Sequence, residues 1–391
     1  YPPDGAPTGR VLERVVWELV DRGHEVTVVC SEGGYAAMSE PVVDMPGVRM
    51  VRLPSGKGGR ASFMAKLSSY IGFYLRVMKA VGITVPTPDR IVALTTPPYL
   101  SLLARVLSRF RGADHGHWVM DLYPDVMSAH GMLREGALID KVLGGLTRWG
   151  FGGKRCARVV VLGPDMSRRI GRYVDGGHVG IVPLWPTAAA AKKDEGFLDK
   201  SLELRASRGW RDDEVVLMYS GNMGRGHRFQ EFLTVAKDTR ENVRWVFFGA
   251  GPRRAEVEQF LADHPESSVS LGDYVAHERL GEHLESGDVQ LVSLEPEWDG
   301  TMVPSKFQGV FAAGKPVIFV GSRSSSLGTW IEESGAGWVV EPGEVEQLRE
   351  IVTGLTRDDC VRRGRLAREF AEREFSPEKN SSRVADLFSS P

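Results

Sequence analysis

Ser305 and Lys306 are the side chains whose types and position most clearly suggest chemistry. Pro304 precedes them, a run of small and apolar residues compatible with a helix follows, and a Gly-Lys-Pro sequence ends that run. The pattern predicts a helix that begins at Ser305 and Lys306, followed by a buried strand over 317–320. A hydroxyl, an ammonium and the free N–H groups of a helix N-terminus are together suited to bind a diphosphate. An ordinary helix–strand unit with a surface lysine is the alternative interpretation.

A glycine-rich loop follows the strand predicted over 215–219 and leads into a helix. The loop contains Gly221, Asn222, Gly224 and Arg225. Glycines let backbone N–H groups approach a phosphate closely, and an Arg at the rim can bind phosphate oxygens through two parallel hydrogen bonds. Because many proteins have a glycine loop between a strand and a helix, this loop predicts a phosphate site only in combination with Lys306.

The Pro-Ser-Lys segment at 304–306, the Ala-Ala-Gly-Lys-Pro segment at 312–316 and the Gly-Asn-x-Gly loop at 221–224 resemble family 4 glycosyltransferases of the GT-B fold. The resemblance is to the branch that builds bacterial surface polysaccharides, and it covers nearly the whole chain. It implies that the 221–224 loop binds the donor diphosphate and that Arg225 and Lys306 are catalytic cations. It also implies transfer with retention of configuration, in which the leaving phosphate takes the acceptor proton.

The sequence has no Asp-x-Asp motif and no His, Cys and carboxylate cluster with metal-ligand spacing. Glycosyltransferases of the other common architecture hold the diphosphate through a metal ion bound to such a motif. Here Arg225 and Lys306 offer positive charge instead. We therefore expect a mechanism without a metal or other cofactor.

The acidic segment 295–303 lies directly before the Pro-Ser-Lys sequence. Members of the family usually have here a Glu, seven residues and a second Glu, of which the first contacts the donor sugar and the second contacts the ribose. Asp299 is the best match for the first position and is expected to be catalytic, with Glu297 and Glu295 as competitors. A solvated acidic loop is the alternative interpretation.

The second acidic position of the family falls on Gly309, so this chain departs from the pattern there. Recognition of the ribose by a carboxylate is therefore in doubt, and we expect the neighbouring Gln308 to replace it. The resemblance implies that the rest of the segment also contacts the donor. Its expected donor-binding residues are Glu297, Gly300, Thr301, Met302, Val303, Ser305, Lys306 and Gln308.

Three further segments correspond to donor contacts in the family. Gly249 and Gly251 follow one predicted strand and Tyr274 follows the next, and in the family these segments flank the nucleotide base. Gly5 and Gly9 belong to a Pro/Gly loop that resembles the first loop of the family, which lies under the bound sugar. Because the contacts to the base are largely through backbone, structural turns explain Gly249 and Gly251 nearly as well.

Asp121 ends a strand predicted over 117–120, at the edge where ligands of such sheets gather. Many relatives have a His directly before this Asp, and here Met120 occupies that position. The alternation of side chains along a strand predicts that His117 points away from the surroundings of Asp121. We expect Asp121 to contact the acceptor or the donor sugar.

These residues require two α/β scaffolds, because strands alternate with helices in two separate series. Together with the resemblance, this predicts the GT-B architecture, with two Rossmann-like, doubly wound domains facing across a cleft. Residues 1–185 are the expected acceptor-binding domain, 186–200 a linker, 201–371 the donor-binding domain and 372–391 a helix that crosses back. The strand that should open the first domain is not in the sequence, so we expect that it either lies upstream of Tyr1 or has been lost.

Charge is unevenly distributed although the net charge is only −2. Residues 1–185 contain 23 Lys/Arg and 16 Asp/Glu, whereas the rest of the chain contains 26 and 35. Residues 61–81 combine basic side chains with apolar ones at helical spacing, which predicts a helix that rests on an anionic membrane. The domain core is the alternative location for this apolar stripe, which consists of Phe63, Leu67, Tyr70, Tyr74, Met78 and Val81.

Composition indicates a cytoplasmic protein that can be peripheral on the inner face of the cell membrane. The three cysteines are far apart in sequence, which favours a reducing compartment. No apolar run approaches the ~20 residues of a membrane span, and no signal peptide is visible. Nothing in the composition points to a nucleic-acid partner.

Together with these patterns, the resemblance implies a hexosyl- or N-acetylhexosaminyltransferase. It would move a sugar from a nucleoside diphosphate sugar, with UDP as the expected nucleotide, to a glycan or polyprenyl-diphosphate-linked acceptor. A GT-B nucleotide-sugar epimerase and a non-catalytic sugar-nucleotide-binding protein are the alternatives. The missing second Glu favours the latter, whereas the scarcity of histidines disfavours an epimerase. The sequence does not identify the sugar, the base or the acceptor.

Overall fold

The computed structural model describes residues 7–32, 46–54, 63–186, 197–239 and 242–390. The chain divides into two units, of which one is Tyr1–Leu184 together with Pro377–Pro391 and the other is Trp185–Ser376. Gly5 and residues 187–196 of the predicted linker lie outside the described residues. Each unit is an α/β structure with parallel strands, as the sequence predicts.

The first unit contains a parallel sheet with strand order β3-β4-β5-β6 and a separate parallel pair, β1-β2. Its strands are β1 (Val26–Ser31), β2 (Val48–Leu53), β3 (Arg90–Ala93), β4 (Asp114–Trp118), β5 (Cys156–Val161) and β6 (Val179–Ile181). Its helices before residue 185 are α1 (Pro7–Asp21), α2 (Phe63–Lys79), α3 (Leu100–Arg111), α4 (Asp125–Ala129), α5 (Leu138–Phe151) and α6 (Pro164–Ile170). Apolar side chains of β1, β2, α2 and α3 form a shared cluster around Val81, Val85 and Leu107.

Two predicted boundaries in the first unit are wrong. Gly9 lies in α1 rather than in a loop, because Pro7 can start a helix at a position where no backbone N–H is needed. β4 begins at Asp114 and ends at Trp118, earlier than the predicted 117–120. The cause is Gly112, whose φ of 72° ends α3 and returns the chain at once to the sheet.

The second unit is one parallel sheet with strand order β12-β11-β10-β7-β8-β9. Its strands are β7 (Val215–Ser220), β8 (Val243–Phe248), β9 (Val269–Gly272), β10 (Val289–Ser293), β11 (Val317–Val320) and β12 (Gly337–Val340). Its helices are α7 (Phe197–Ser207), α8 (Gln230–Ala236), α9 (Arg254–Asp263), α10 (Leu280–Ser286), α11 (Lys306–Ala312), α12 (Ser326–Ser334), α13 (Val345–Gly354) and α14 (Arg357–Glu374). α7 begins inside the predicted linker 186–200, where the buried Phe197 anchors it.

The core of the second unit lies against the central strands. Its largest side chains are aromatic and fully buried, and they include Tyr219, Phe229, Phe232, Trp245 and Phe247. The Tyr219 ring packs edge-on against Phe229, with 4.8 Å between centroids. This packing holds the end of β7 in place, where the glycine-rich loop begins.

The last helix, α15 (Pro377–Ser389), belongs to the first unit. Arg22 pairs with Asp386 at 2.6 Å, and Asn380 donates a hydrogen bond of 3.1 Å to the carbonyl oxygen of Pro183. Gly116 of β4 lies under Phe388, where a Cβ atom would come within 2.9 Å of the ring. The end of the chain therefore completes the packing of the N-terminal sheet.

Candidate functional site

The topology of the second unit brings three loops to one edge of its sheet. β7 and β10 are neighbours, but β8 and β9 lie on one side of them and β11 and β12 on the other. In open α/β sheets, ligands bind beyond the carboxyl ends of the strands at such a reversal of strand order. The loops that start at Gly221, Gly249 and Leu294, together with the start of α11, contain most of the donor-binding residues predicted from the sequence.

The loops after β7 and β8 lie directly against each other. Gly221, Gly249 and Gly251 have φ angles of 141°, 134° and 146°, a region that side chains disfavour. A Cβ atom on Gly249 would overlap the Gly221 carbonyl oxygen, and one on Gly251 would come within 2.5 Å of the Met223 carbonyl oxygen. The Met223 N–H donates a 2.9 Å hydrogen bond to the Ala250 carbonyl oxygen. The glycines are thus required for two backbones to pack closely.

Lys306 places a buried ammonium beside this pair of loops. Its Nζ lies 3.5 Å from the centroid of the Tyr219 ring, and its stem lies over Gly221. The ammonium has no hydrogen-bond partner among the described residues. Burial therefore lowers the pKa of Lys306 well below its ordinary value. Such a group is costly for the folded protein unless an anion compensates it.

Helix α11, which begins at Lys306, contributes less to anion binding than the sequence suggests. α11 contains only seven residues, and Ser305 lies at its N-cap position without a side-chain capping hydrogen bond. Ser305 is exposed, which leaves its hydroxyl accessible to a ligand. Because a two-turn helix has a small dipole, the buried ammonium is the stronger feature for anion binding.

Arg225 is exposed on the tip of the glycine-rich loop, next to the exposed Asn222. Its carbonyl oxygen accepts a hydrogen bond of 3.3 Å from Arg253 Nε. Arg253 also pairs with Glu295 at 2.6 Å, and Arg228 pairs with the other Glu295 oxygen at 2.8 Å. The Glu295 carboxylate is thus held between two arginines, which makes it a support for the loops rather than a sugar ligand.

The acidic segment forms a tight turn around Trp298. Trp298 is buried, and a Cβ atom on Gly226 of the glycine-rich loop would come within 2.8 Å of its ring. Glu297 is exposed on this turn and Asp299 is half-buried directly after it. Asp299 therefore lies between the interior and the surface of the turn, and its contact with the donor sugar stays a prediction.

The residues after Asp299 support this turn. Thr301 is fully buried and its hydroxyl donates a 2.8 Å hydrogen bond to the Trp298 carbonyl oxygen. Gly300 has a φ of 70°, and Val303 is buried, whereas Met302 is half-buried. The side chains of Thr301 and Val303 face the interior of the second unit. The donor contacts expected for this segment stay a prediction.

Gln308, which is expected to contact the ribose, lies in the interior of the second unit. Its side chain is fully buried, and neither amide atom has a hydrogen-bond partner among the described residues. Two residues along a helix is a rotation of about 200°, so Gln308 points away from the direction of Lys306. Gly309, at the family's second acidic position, is also buried. The ribose contact of Gln308 stays a prediction.

Tyr274 lies where the base is expected to bind. Its ring is 58% exposed, and its hydroxyl donates a 3.1 Å hydrogen bond to the Ala250 carbonyl oxygen. A Cβ atom placed on Gly249 would lie 3.5 Å from the nearest atom of the Tyr274 ring. An exposed aromatic ring fixed beside the Gly249–Gly251 loop offers a surface on which a base could stack.

Asp121 of the first unit is half-buried, and burial raises the pKa of its carboxyl group. Thr95 Oγ1 accepts hydrogen bonds of 3.2 Å from the backbone N–H groups of Met120 and Asp121. Asp121 and His117 line the same small cavity, so the prediction that they point apart is wrong. The reason is that β4 ends at Trp118, after which strand alternation no longer applies.

Several residues of the site were not found from the sequence. His283 is fully buried and makes two hydrogen bonds. Its Nδ1 lies 2.9 Å from a guanidinium nitrogen of Arg208, and its Nε2 lies 3.0 Å from Oγ of Ser220, the last residue of β7. Arg228 and Arg253 support the loops through their ion pairs with Glu295. The sequence signal for them is weak, because Arg228 follows the end of β7 by eight residues and Arg253 follows the end of β8 by five, as many surface residues do.

Two family models match the chain. Residues 8–185 match the glycosyl transferase 4-like domain, and residues 214–358 match the glycosyl transferases group 1 domain. The two matches fall in the first and second structural units respectively. The glycine-rich loop, Lys306 and the acidic segment all lie within the second match.

Individual relatives agree with these matches. The chain is 25% identical over 298 residues to the probable glycosyltransferase WbjE of Pseudomonas aeruginosa. The aligned region covers 73% of this chain and 71% of WbjE. The fold of this chain is similar to that of WaaG, a glycosyltransferase involved in lipopolysaccharide biosynthesis. The TM-score is 0.69 at 15% identity, and the match covers 100% of this chain and 98% of WaaG. The fold is also similar to that of Anabaena Alr3699/HepE in complex with UDP-glucose (TM-score 0.68, 14% identity, 100% and 97%). Both domain models in order, on this fold, show that the chain belongs to the GT-B glycosyltransferases of the family 4 type.

Proposed function

We propose that this glycosyltransferase transfers a sugar from a UDP-sugar to a glycan or lipid-linked glycan in surface polysaccharide biosynthesis. The observation that carries the donor assignment is the buried ammonium of Lys306, which has no hydrogen-bond partner among the described residues and lies beside the Gly221 loop. A diphosphate there would supply the negative charge that the site lacks. The ammonium would in turn stabilise the charge that develops on the leaving diphosphate.

Arg225 would supply the second cation from the tip of the same loop. Its guanidinium can bind two phosphate oxygens at once, whereas Lys306 acts as a point charge. We propose that these two cations replace a metal ion at the diphosphate. The support for this is the positive charge present at the site and the resemblance to family 4 enzymes.

The proposed stereochemistry rests on the resemblance to family 4 enzymes, and the proposed nucleotide rests on complexes of proteins with the same fold. We propose retention of configuration by same-face attack, in which the acceptor hydroxyl gives its proton to the leaving phosphate as the new glycosidic bond forms. Asp299 would contact the donor sugar, and Asp121 would contact a sugar in the first unit. The UDP-glucose complex of a protein with the same fold supports the UDP-sugar, and the involvement of WaaG in lipopolysaccharide biosynthesis supports the acceptor class.

A lipid-linked acceptor would require the first unit to reach a membrane surface. Helix α5 has an exposed apolar face, called here the α5 apolar face, which consists of Leu138, Ile139, Val142, Leu146 and Trp149. Lys141 and Arg148 are exposed on the same helix. Apolar side chains flanked by cations can rest in the interface of an anionic bilayer. Among the described residues, no helix is long and apolar enough to span a membrane.

The α2 stripe predicted for this role is divided between two environments. Tyr74 donates a hydrogen bond to the Pro98 carbonyl oxygen and Val81 is buried, whereas Met78 is 41% exposed. Ile71 and Leu75, outside the predicted stripe, are 51% and 61% exposed. α2 therefore contributes to the core with one side, and α5 is the better membrane-facing element.

Product analysis tests the proposal. The protein is incubated with UDP-sugars and with lipid-linked or free glycans, in the presence of EDTA, and the products are identified by mass spectrometry. We expect UDP and an elongated glycan, with no gain on adding Mg²⁺ or Mn²⁺. An epimerised donor would support the epimerase, and a donor bound without turnover would support a sugar-nucleotide-binding protein. Activity that Mg²⁺ or Mn²⁺ restores after EDTA would contradict the metal-free diphosphate site.

The nucleotide is identified by thermal shift with UDP, GDP, ADP and dTDP. A ligand that binds only the folded state raises the unfolding temperature. We expect the largest rise with UDP.

Arg225→Ala should slow transfer by about 10²–10³. Arg365→Ala, which replaces an exposed arginine on α14, should not slow it. Equal rates for both variants would place the diphosphate elsewhere.

A further inference from the structure

Two histidines and a cysteine meet inside the sheet of the first unit. His115 and His117 are two residues apart on β4 and so share one face of the strand, and Cys156 pairs in register with His115 from β5. One ligand atom from each of the three lies within 4.8 Å of the others. The side chains are almost inaccessible, with 1%, 1% and 6% exposure.

One hydrogen bond of His115 can orient its ring for metal binding. Ser108 Oγ donates to the Arg105 carbonyl oxygen at 2.9 Å and lies 3.1 Å from His115 Nδ1. In the tautomer with the proton on Nδ1, Oγ accepts from Nδ1–H and the Nε2 lone pair is available to a metal. Metal-binding histidines are commonly oriented in this way by a hydrogen bond to the other ring nitrogen.

His117 is also poorly satisfied. Neither of its buried ring nitrogens makes a hydrogen bond of good geometry, although the Gly150 backbone lies close enough to act on the ring. A buried polar atom without a good partner is costly for the folded protein. The two imidazoles, together with the thiol of Cys156, form a set that a thiophilic cation would satisfy.

We propose that His115, His117 and Cys156 bind a zinc ion that joins β4 to β5 within the first unit. Two imidazoles and one thiolate are ligands that Zn²⁺ prefers, at distances of about 2.0–2.3 Å. Binding breaks the S–H bond of Cys156, releases its proton to solvent and forms a Zn–S bond. The three ligand atoms already lie within 4.8 Å of one another, so the imidazole rings must move by less than that distance to bind one ion.

The structure also offers space for a fourth ligand. A cavity of about 10 Å³ borders His117, and Thr95, Asp121 and Tyr123 are among the residues that line it. This volume is close to the minimum for one water molecule, and polar lining groups can hold that water. A water in this cavity would complete four-coordination of zinc.

Metal analysis of the purified full-length chain tests the proposal. The protein is produced with added zinc, dialysed, and measured by elemental mass spectrometry. Cobalt is then used as a spectroscopic probe of the same protein. The variants are Cys156→Ser and His117→Phe, and the matched control is Cys360→Ser, because Cys360 is also a buried free cysteine but belongs to the second unit.

We expect about one zinc per chain in the unaltered protein and in Cys360→Ser, and a loss of at least tenfold in affinity in the other two variants. Cobalt should give a thiolate-to-metal charge-transfer band that Cys156→Ser abolishes. If these variants do not fold, the cobalt band of the unaltered protein still decides the matter. Absence of that band, zinc far below one equivalent, or retention of copper in its place would overturn the assignment.

Discussion

The Lys306 ammonium lies 3.5 Å from the centre of the Tyr219 ring, and this contact links the donor site to the core of the second unit. Tyr219 is fully buried and donates a 2.7 Å hydrogen bond to the Asn222 carbonyl oxygen in the glycine-rich loop. The ring therefore supports both the loop and the cation. A cation over an aromatic face recovers part of its lost hydration, on the order of 2 kcal/mol when it is desolvated. That is less than the several kcal/mol which burial of an ion costs.

We expect Lys306→Met to raise the stability of the unliganded protein while abolishing its stabilisation by UDP. Methionine keeps the apolar stem and removes the unpaired charge, so the gain should be about 1 kcal/mol or more. Because the folded protein has a lowered lysine pKa, the unaltered protein becomes more stable as pH rises toward the ordinary lysine pKa. The advantage of the variant should therefore shrink over that range. Thermal unfolding with and without UDP at several pH values measures both effects.

Lys315→Met is the matched control for Lys306→Met. Lys315 pairs with Glu285 at 3.1 Å, so its removal should lower stability and leave the shift with UDP intact. A loss of stability in Lys306→Met together with normal UDP binding would show that the ammonium has a structural role only.

Gly249→Ala should disrupt the donor site through a backbone clash. A methyl group there would overlap the Gly221 carbonyl oxygen, so the two loops would have to separate. We expect a stability loss of more than about 2 kcal/mol and weaker UDP binding. Gly343→Ala is the control, because its φ of 91° is also unfavourable but no atom lies within 4 Å. Equal losses in the two variants would mean that backbone conformation, and not the contact between loops, explains the effect.

Gln308→Met should stabilise the protein and leave the KM for the donor unchanged. The amide of Gln308 has no partner among the described residues, so methionine of similar shape removes a desolvation cost of about 1–3 kcal/mol. Gln290→Met should instead destabilise, because the equally buried Gln290 donates a 3.2 Å hydrogen bond to the Leu284 carbonyl oxygen. A large rise in KM for Gln308→Met would restore the ribose role expected from the sequence.

Replacing Leu138, Ile139 and Val142 by Ser should weaken binding to vesicles that contain anionic lipid. The α5 apolar face would lose its three most exposed aliphatic side chains, and added salt should weaken binding further by screening Lys141 and Arg148. Leu198→Ser with Leu202→Ser, two exposed apolar residues on α7, is the control. Co-sedimentation measures the effect. Unchanged sedimentation of the α5 variant would turn the proposal toward a soluble acceptor.

Much of the fold followed from local sequence patterns. Buried strands such as Val215–Ser220 and Val289–Ser293 are short apolar runs bounded by turn residues, and these patterns depend only on neighbours in sequence. The glycines at 221, 249 and 251 were also recognisable, because strand ends followed by glycine are typical of this architecture. Their φ angles then explain why glycine is needed there.

The roles of individual polar residues were harder to predict, because they depend on partners far away in sequence. Glu295 was a possible sugar ligand until the structure placed it between Arg228 and Arg253. Gln308 seemed suitable by position, but the helix turns its side chain inward. Cys156 lies opposite His115 only because β4 and β5 are adjacent in the sheet. No spacing rule along the chain contains that information.

The position of α15 has a consequence for the order in which this protein can fold during synthesis. Gly116 and Gly180 lie under Phe388 and Leu387, so two strands of the first unit are covered by residues that are translated after the whole second unit. The first unit therefore cannot bury its complete apolar surface until Leu387 and Phe388 have been translated, whereas the second unit has all of its residues by Ser376. In contrast to the usual order, in which N-terminal domains fold first, the unit that is made first is the one that finishes last.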